Sequence, residues 1–283
     1  MKALRQALVL AMLAMAAGAG CDRRAQRPPG PVDSALIAVA ADFGTAPGAV
    51  VDAWTQLQRL ADRVTARHKR SGSNEIDDLR VVLFDEEKFQ REIDSDDPRF
   101  FVLPSVLADH RGNCLGLGAL MLGVAERLGL PLDGVMVPGH FFVRTREAPP
   151  RNLEMLRGGE VMPDAWYRAK YGPWPEHGSS YFRPLGATEL VGLHWFDAGN
   201  FFRRQRRLDE AQSAFARAAD EFPAFAEAHA SLGAVEQLRG ALPAAAQAYD
   251  QAGQARADLP GLQQNRALLN QQLLSPPPTR SAP

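Results

Sequence analysis

The chain has 283 residues, enough for two domains, and 46% of them are hydrophobic, enough to bury at least one sizeable core. Its 32 lysines and arginines nearly balance its 33 aspartates and glutamates, so the charge gives no sign of nucleic acid, a membrane surface or a polyanionic substrate as partner. Two cysteines, Cys21 and Cys114, are too few for a disulfide framework, and each needs its own account.

Lys2 and Arg5 precede an apolar run from Ala7 to Ala17, too short to span a bilayer as an ordinary helix and of the right length for the apolar core of a signal peptide. The run breaks into Gly18-Ala19-Gly20-Cys21, small residues that can lie extended in a peptidase cleft. This succession resembles a bacterial lipobox, in which the cysteine thiol is acylated and becomes the new N-terminus, although Gly18 stands where lipoboxes usually carry an aliphatic residue. The resemblance implies an export signal over 1–21, lipidation at Cys21 and a membrane anchor through the lipid, in the cell envelope. Ordinary signal cleavage and an uncleaved anchor are the other readings, and export holds in all three. Residues 22–33 (DRRAQRPPGPVD) are charged and proline-rich and read as a tether.

The folded body is expected from Ser34. Val50, Val51, Trp54, Leu57, Leu60, Ala61 and Val64 recur at three- and four-residue steps, predicting a helix with one buried stripe. A charged second helix follows, with Leu79, Val82, Leu83, Phe84 and Phe89 on its apolar side. After the turn at Asp97-Pro98, the run from Phe101 to Leu107 leads to Arg111-Gly112-Asn113-Cys114, and Leu115 to Leu128 is again helical, stopped by Gly129. Val135–Val137 and Phe141–Val143 have strand character on either side of Pro138-Gly139-His140, and a short strand fits Arg151 to Leu156 before Gly158-Gly159. This order puts a cysteine at a helix start and a histidine on the adjacent strand, with Asn152 and Glu154 on one face of the next. The aromatic segment from Pro163 to Pro184 reads either as a joining loop or as the wall of a substrate cleft.

The C-terminal third repeats itself. Trp195, Ala198, Gly199, Phe202, Ala211, Phe215, Ala218 and Pro223 occupy the spacing of a tetratricopeptide (TPR) motif, and 34 residues later stand His229, Leu232, Gly233, Glu236, Ala245, Tyr249 and Ala252. Small residues let two helices approach closely while Phe202 and Phe215 fill the gap. Glu236 replaces an aromatic in the second copy, and its proline is delayed to Pro260. Residues 262–273 read as a capping helix and 275–283 as a disordered tail. The resemblance implies a protein or peptide partner docked by the repeats.

The stretch VLADHRGNCLGLGALMLGVAERLGLPLDGVMVPGHFFVR resembles the core of the SirB-type branch of the transglutaminase-like superfamily. What this implies is an α+β transglutaminase-like (papain-like cysteine) domain over 34–190, followed by an α-helical TPR hairpin array over 191–274. It further implies Cys114 as nucleophile, His140 as its base, and an acidic residue on the following strand that orients the histidine. Counting back from Gly158-Gly159 puts that residue at Glu154, where the chain has Asn-Leu-Glu in place of the family's Asp-Pro-Phe. Asn152 is the alternative, in the manner of papain-like sites. Many members of the branch lack the cysteine; this sequence keeps it.

Chemistry supports the arrangement independently: a helix N-terminus stabilises a thiolate, and a histidine holds the ion pair and protonates the leaving group. His68, His110, His177, His194 and His229 read as structural or solvated. No spacing suggests a metal site, a phosphate loop or a calcium ladder, so no cofactor is indicated. The expected activity is hydrolysis or transfer of a peptide, amide or isopeptide bond. The alternative is a non-enzymatic scaffold or regulatory binding protein that uses the same fold and repeats.

Overall fold

The structure is a computed structural model that describes residues 30–93, 96–175 and 179–274. The segment read as an export signal, Cys21, most of the stretch read as a tether, His177 and residues 275–283 lie outside the described residues. The described residues divide into two units, the first comprising 30–175 with 181–194 and the second 179–180 with 195–274.

The first unit opens with α1, Pro31–Asp42, which begins inside the stretch read as tether rather than at Ser34. Pro31 occupies the first turn, where the missing N–H has no intrahelical acceptor to lose, and Leu36, Ile37, Val39 and Ala40 give this helix a buried side. Next, α2 (Pro47–Ser71) buries Val50, Ala53, Leu57, Leu60, Ala61 and Val64 and ends at Gly72, whose φ of 63° is the left-handed stop that glycine tolerates best. Asn74 caps α3 (Glu75–Arg80) by accepting the Ile76 N–H, and that helix widens into a π-type turn over Val81–Glu86. Asp78 is buried there and bonded by Arg67, His68 and Ser71 of α2, so His68 is tied to a buried carboxylate rather than merely solvated.

Strand β1 (Gln90–Arg91) pairs in parallel with β2 (Arg111–Gly112) across the intervening α4, Leu103–Asp109. This pairing pins the chain just before α5, Cys114–Leu128, which is buried on nearly every side and stops at Gly129. The hairpin of β3 (Leu132–Val137) and β4 (His140–Thr145) turns at Pro138-Gly139, where Gly139 has φ 69°. With β5 (Asn152–Glu154), β6 (Glu160–Met162) and β7 (Pro184–Leu185) it forms an antiparallel sheet in the order β6-β5-β4-β3-β7. A Cβ on Gly118 of α5 would meet the Phe141 ring at 2.3 Å, so the bare glycine is what lets helix and sheet close. Phe142 points the other way, as strand alternation requires, and meets Tyr167 of α6 (Asp164–Tyr171) at 4.1 Å.

The unit boundary falls between His194 and Trp195, inside α7 (Ala187–Arg204). The second unit continues with α8 (Leu208–Glu221), α9 (Ala226–Leu238), α10 (Leu242–Ala255) and α11 (Leu262–Leu274). Gly199 lies against the Phe215 ring, where a Cβ would be 2.6 Å from it, and Gly233 stands in the same relation to Tyr249 at 2.6 Å. Both aromatic rings are fully buried, worth about 1.5–3 kcal/mol each. Glu236, at the position of the missing aromatic, is buried and paired with Arg239 at 2.9 Å. Among the described residues no helix is long and apolar enough to cross a membrane.

Candidate active site

Cys114 is the first residue of α5. Asn113 caps the helix, its Oδ1 accepting the Gly116 N–H at 2.9 Å while its own N–H donates to Phe100 O at 2.8 Å. A Cβ on Gly116 would stand 2.1 Å from Phe100 O, so that glycine lets the helix end press against the preceding turn. The Cys114 thiol is thereby held, half-buried and outside any disulfide, at the positive end of a 15-residue helix. Gly118, one turn later on the same face, is the residue that touches Phe141, the neighbour of His140.

His140 begins β4, and its Nε2 lies 2.8 Å from Glu154 Oε2. Their side chains are 3% and 1% exposed, so the pair is shielded from competing water. The second carboxylate oxygen accepts the Leu156 N–H at 3.0 Å. An ionised Glu154 accepts the Nε2 hydrogen, which makes Nδ1 the ring nitrogen left for proton exchange. Asn152 takes other partners: its amide donates to Met162 O at 3.0 Å and to Asp164 Oδ1 at 2.7 Å. Strand register explains the difference, because Asn152 pairs with Arg144, well along β4 from His140.

Two residues of the site were not singled out by sequence reasoning. Tyr171 stacks face to face on the His140 imidazole, with centroids 4.5 Å apart and planes within 3°. Tyr167 is fully buried, 4.1 Å from Phe142 and 6.3 Å from His140. Burial pushes the Tyr171 phenol well above its ordinary range, and the charges of Glu154 and then Cys114 push it further. Tyr167 is raised likewise, by burial first and then by Glu154. The available signal was the tyrosine pair at helical i, i+4 spacing in WYRAKY.

Three other histidines are held by backbone carbonyls. His110 Nδ1 meets Glu87 O at 2.8 Å and its ring stacks on Phe89. His194 donates from Nδ1 to Leu190 O at 2.8 Å, and complete burial lowers its pKa to about 4 against the raising effect of that carbonyl. His229 Nε2 lies 2.9 Å from Pro223 O. Among the described residues no group of three or more His, Cys, Asp or Glu side chains is arranged to hold a metal ion.

Two curated proteins called UPF0162 protein, from Xylella fastidiosa strains Temecula1 and 9a5c, are each 50% identical over 48 residues, 17% of this chain and 17% of theirs. The chain thus matches about a sixth of the length of these curated relatives. A crystal structure of menin, described as revealing the binding site for Mixed Lineage Leukemia (MLL) protein, overlaps 89% of this chain and 70% of its own at 11% identity and a TM-score of 0.41, a level that supports no functional statement. Residues 52–190, which contain Cys114, His140 and Glu154, match the family model of the Transglutaminase-like superfamily, and this segment is a transglutaminase-like domain.

Proposed function

We propose that the chain is an exported, SirB-type transglutaminase-like protein in which Cys114 attacks a peptide, amide or isopeptide carbonyl. The observation that carries this reading is the shielded His140–Glu154 pair at 2.8 Å in a domain whose cysteine begins a buried helix. Cys114 gives its proton to His140 Nδ1, and the thiolate forms a C–S bond to the carbonyl carbon. The developing oxyanion is met by first-turn N–H groups of α5, that of Cys114 among them. The C–N bond then breaks, the amine leaves with the proton from His140, and a thioester remains. Water or a second amine attacks the thioester, returning a proton through His140 and the thiol to Cys114. Throughout, Glu154 holds the imidazole and stabilises its protonated form.

Helices α7 to α10 are read as two TPR hairpins that dock a protein or peptide partner. The support is the repeated glycine-on-aromatic contact, Gly199 with Phe215 and Gly233 with Tyr249. Cys21 is read as an acylated N-terminus that anchors the protein in the cell envelope. Mass spectrometry of the native protein should then find a lipid-sized addition on the N-terminal peptide, lost in Cys21→Ser; an unmodified N-terminus elsewhere ends the lipoprotein reading.

The activity is tested by trapping the thioester. Full-length protein incubated with a casein peptide mixture and hydroxylamine should accumulate peptide hydroxamate, and Cys114→Ala should not. Equal signal from the two proteins, or an inert Cys114 thiol, assigns the domain to scaffold use.

A further inference from the structure

The Glu154 bond fixes one atom of the His140 ring, but a ring held at one atom can still swing about that bond. What fixes its plane is Tyr171, lying flat on it at 4.5 Å with planes within 3°. Tyr171 does not stand alone: Tyr167, on the same face of α6, is wedged against Phe142 at 4.1 Å, and Trp166 meets both tyrosines edge-on at 5.0 and 6.0 Å. The aromatic face of α6 is therefore built against the histidine and its strand.

We propose that Tyr171 is the positioning residue for His140, setting the direction of Nδ1 and favouring the protonated imidazole through its π face. The proposal rests on the reading of Cys114 and His140 as a nucleophile and base pair. An imidazolium over an aromatic face is stabilised by the ring quadrupole, whereas neutral imidazole gains little from it. Removing the ring thus weakens the thiolate–imidazolium pair even where the fold survives.

The charged groups around the stack act in known directions. Glu154 on β5 favours the imidazolium, as does a Cys114 thiolate at the start of α5. Lys170 of α6 sits 5.1 Å from the Tyr171 centroid and 4.7 Å from that of Trp166, and Arg144 of β4 is paired with Asp164 at 2.7 Å; both are cations that oppose it. Tyr171 itself stays neutral, since burial and its anionic neighbours hold the proton on its phenol. It contributes a ring face and a hydroxyl, and no charge.

The test is the pH dependence of Cys114 alkylation by iodoacetamide, read on the Cys114 peptide by mass spectrometry in the full-length protein. Tyr171→Phe keeps the ring and should keep the wild-type midpoint. Tyr171→Leu fills the space without a π face, and with Tyr171→Ala it should raise the midpoint and slow alkylation at pH 7 about three- to tenfold. A leucine variant with the wild-type midpoint overturns the proposal, as does a phenylalanine variant that shifts as far as leucine. Failure of the underlying reading looks different: the wild-type midpoint itself would then lie at the ordinary thiol value and be blind to His140.

Discussion

His140 Nε2 and Glu154 Oε2 meet at 2.8 Å although 14 residues separate them in the chain. The pairing of Val143 with Leu153 puts both on one sheet face, and Leu156 holds the far carboxylate oxygen. Glu154→Gln keeps the shape and removes the charge. It should raise the Cys114 alkylation midpoint by about one unit, less than His140→Ala does, because its effect passes through the histidine. Asn152→Ala should leave the midpoint unchanged and cost about 1–2 kcal/mol of stability from its bonds to Met162 and Asp164. A shift larger for Asn152→Ala than for Glu154→Gln would reverse the assignment.

Asn113 separates the cap from the charge at the start of α5. Replacing it with alanine removes the acceptor for the Gly116 N–H and should lower stability by about 1 kcal/mol. Asn113→Asp retains the cap but adds a negative charge beside the sulfur, so it should hold stability while raising the thiol midpoint. Chemical denaturation and alkylation rates on the same two variants distinguish these effects. A midpoint unmoved by aspartate would mean that Cys114 does not feel the helix end.

In the second unit, Gly199→Val and Gly233→Val should each destabilise by about 1–3 kcal/mol, since an added Cβ alone would stand 2.6 Å from the rings of Phe215 and Tyr249. Helix propensity alone favours replacing glycine by up to about 1 kcal/mol, so a net loss shows that packing wins. Gly48 in α2 has open space around it, and Gly48→Ala should stabilise slightly. Thermal unfolding unchanged by both valines would contradict the observed helix pairing.

His194 makes stability depend on pH. Its folded pKa is about 4 against an ordinary 6.5, so the unfolded chain binds more protons between those values. The contribution is fully present above pH 6.5 and is lost as pH falls toward 4, amounting to roughly 3 kcal/mol in all. Urea titrations from pH 7 to 4 should show this loss in the wild type, and a flatter profile in His194→Gln. Identical slopes would contradict a buried neutral imidazole.

Much of the site-bearing segment could be read from local sequence. Asn113, Cys114 and Gly129 are a cap, a first residue and a stop, and the hairpin turn at Pro138-Gly139 sets His140 at a strand start. Alternation alone put Asn152 and Glu154 on one face and could not choose between them, because the choice depends on which residue of β4 each one opposes. Tyr171 was illegible for a similar reason: its stack on His140 joins α6 to β4 across about thirty residues of chain, and no local pattern encodes that contact. The helix itself is only 8 residues long, between Pro163 and Gly172, so its period is easily lost in an aromatic loop. The start of α1 was displaced because proline-rich sequence reads as tether until Pro31 is seen to open a helix.

The most direct test of the central claim, that Cys114 and His140 form a thiolate–imidazolium pair, is the midpoint of Cys114 alkylation against pH in wild type and His140→Ala. An unperturbed thiol titrates near 8.5. The wild-type rate should already be close to its plateau at pH 7, with His140→Ala moving the midpoint upward by at least about one unit. A wild-type midpoint near 8.5 that His140→Ala leaves unchanged would contradict the pair and leave the domain a scaffold.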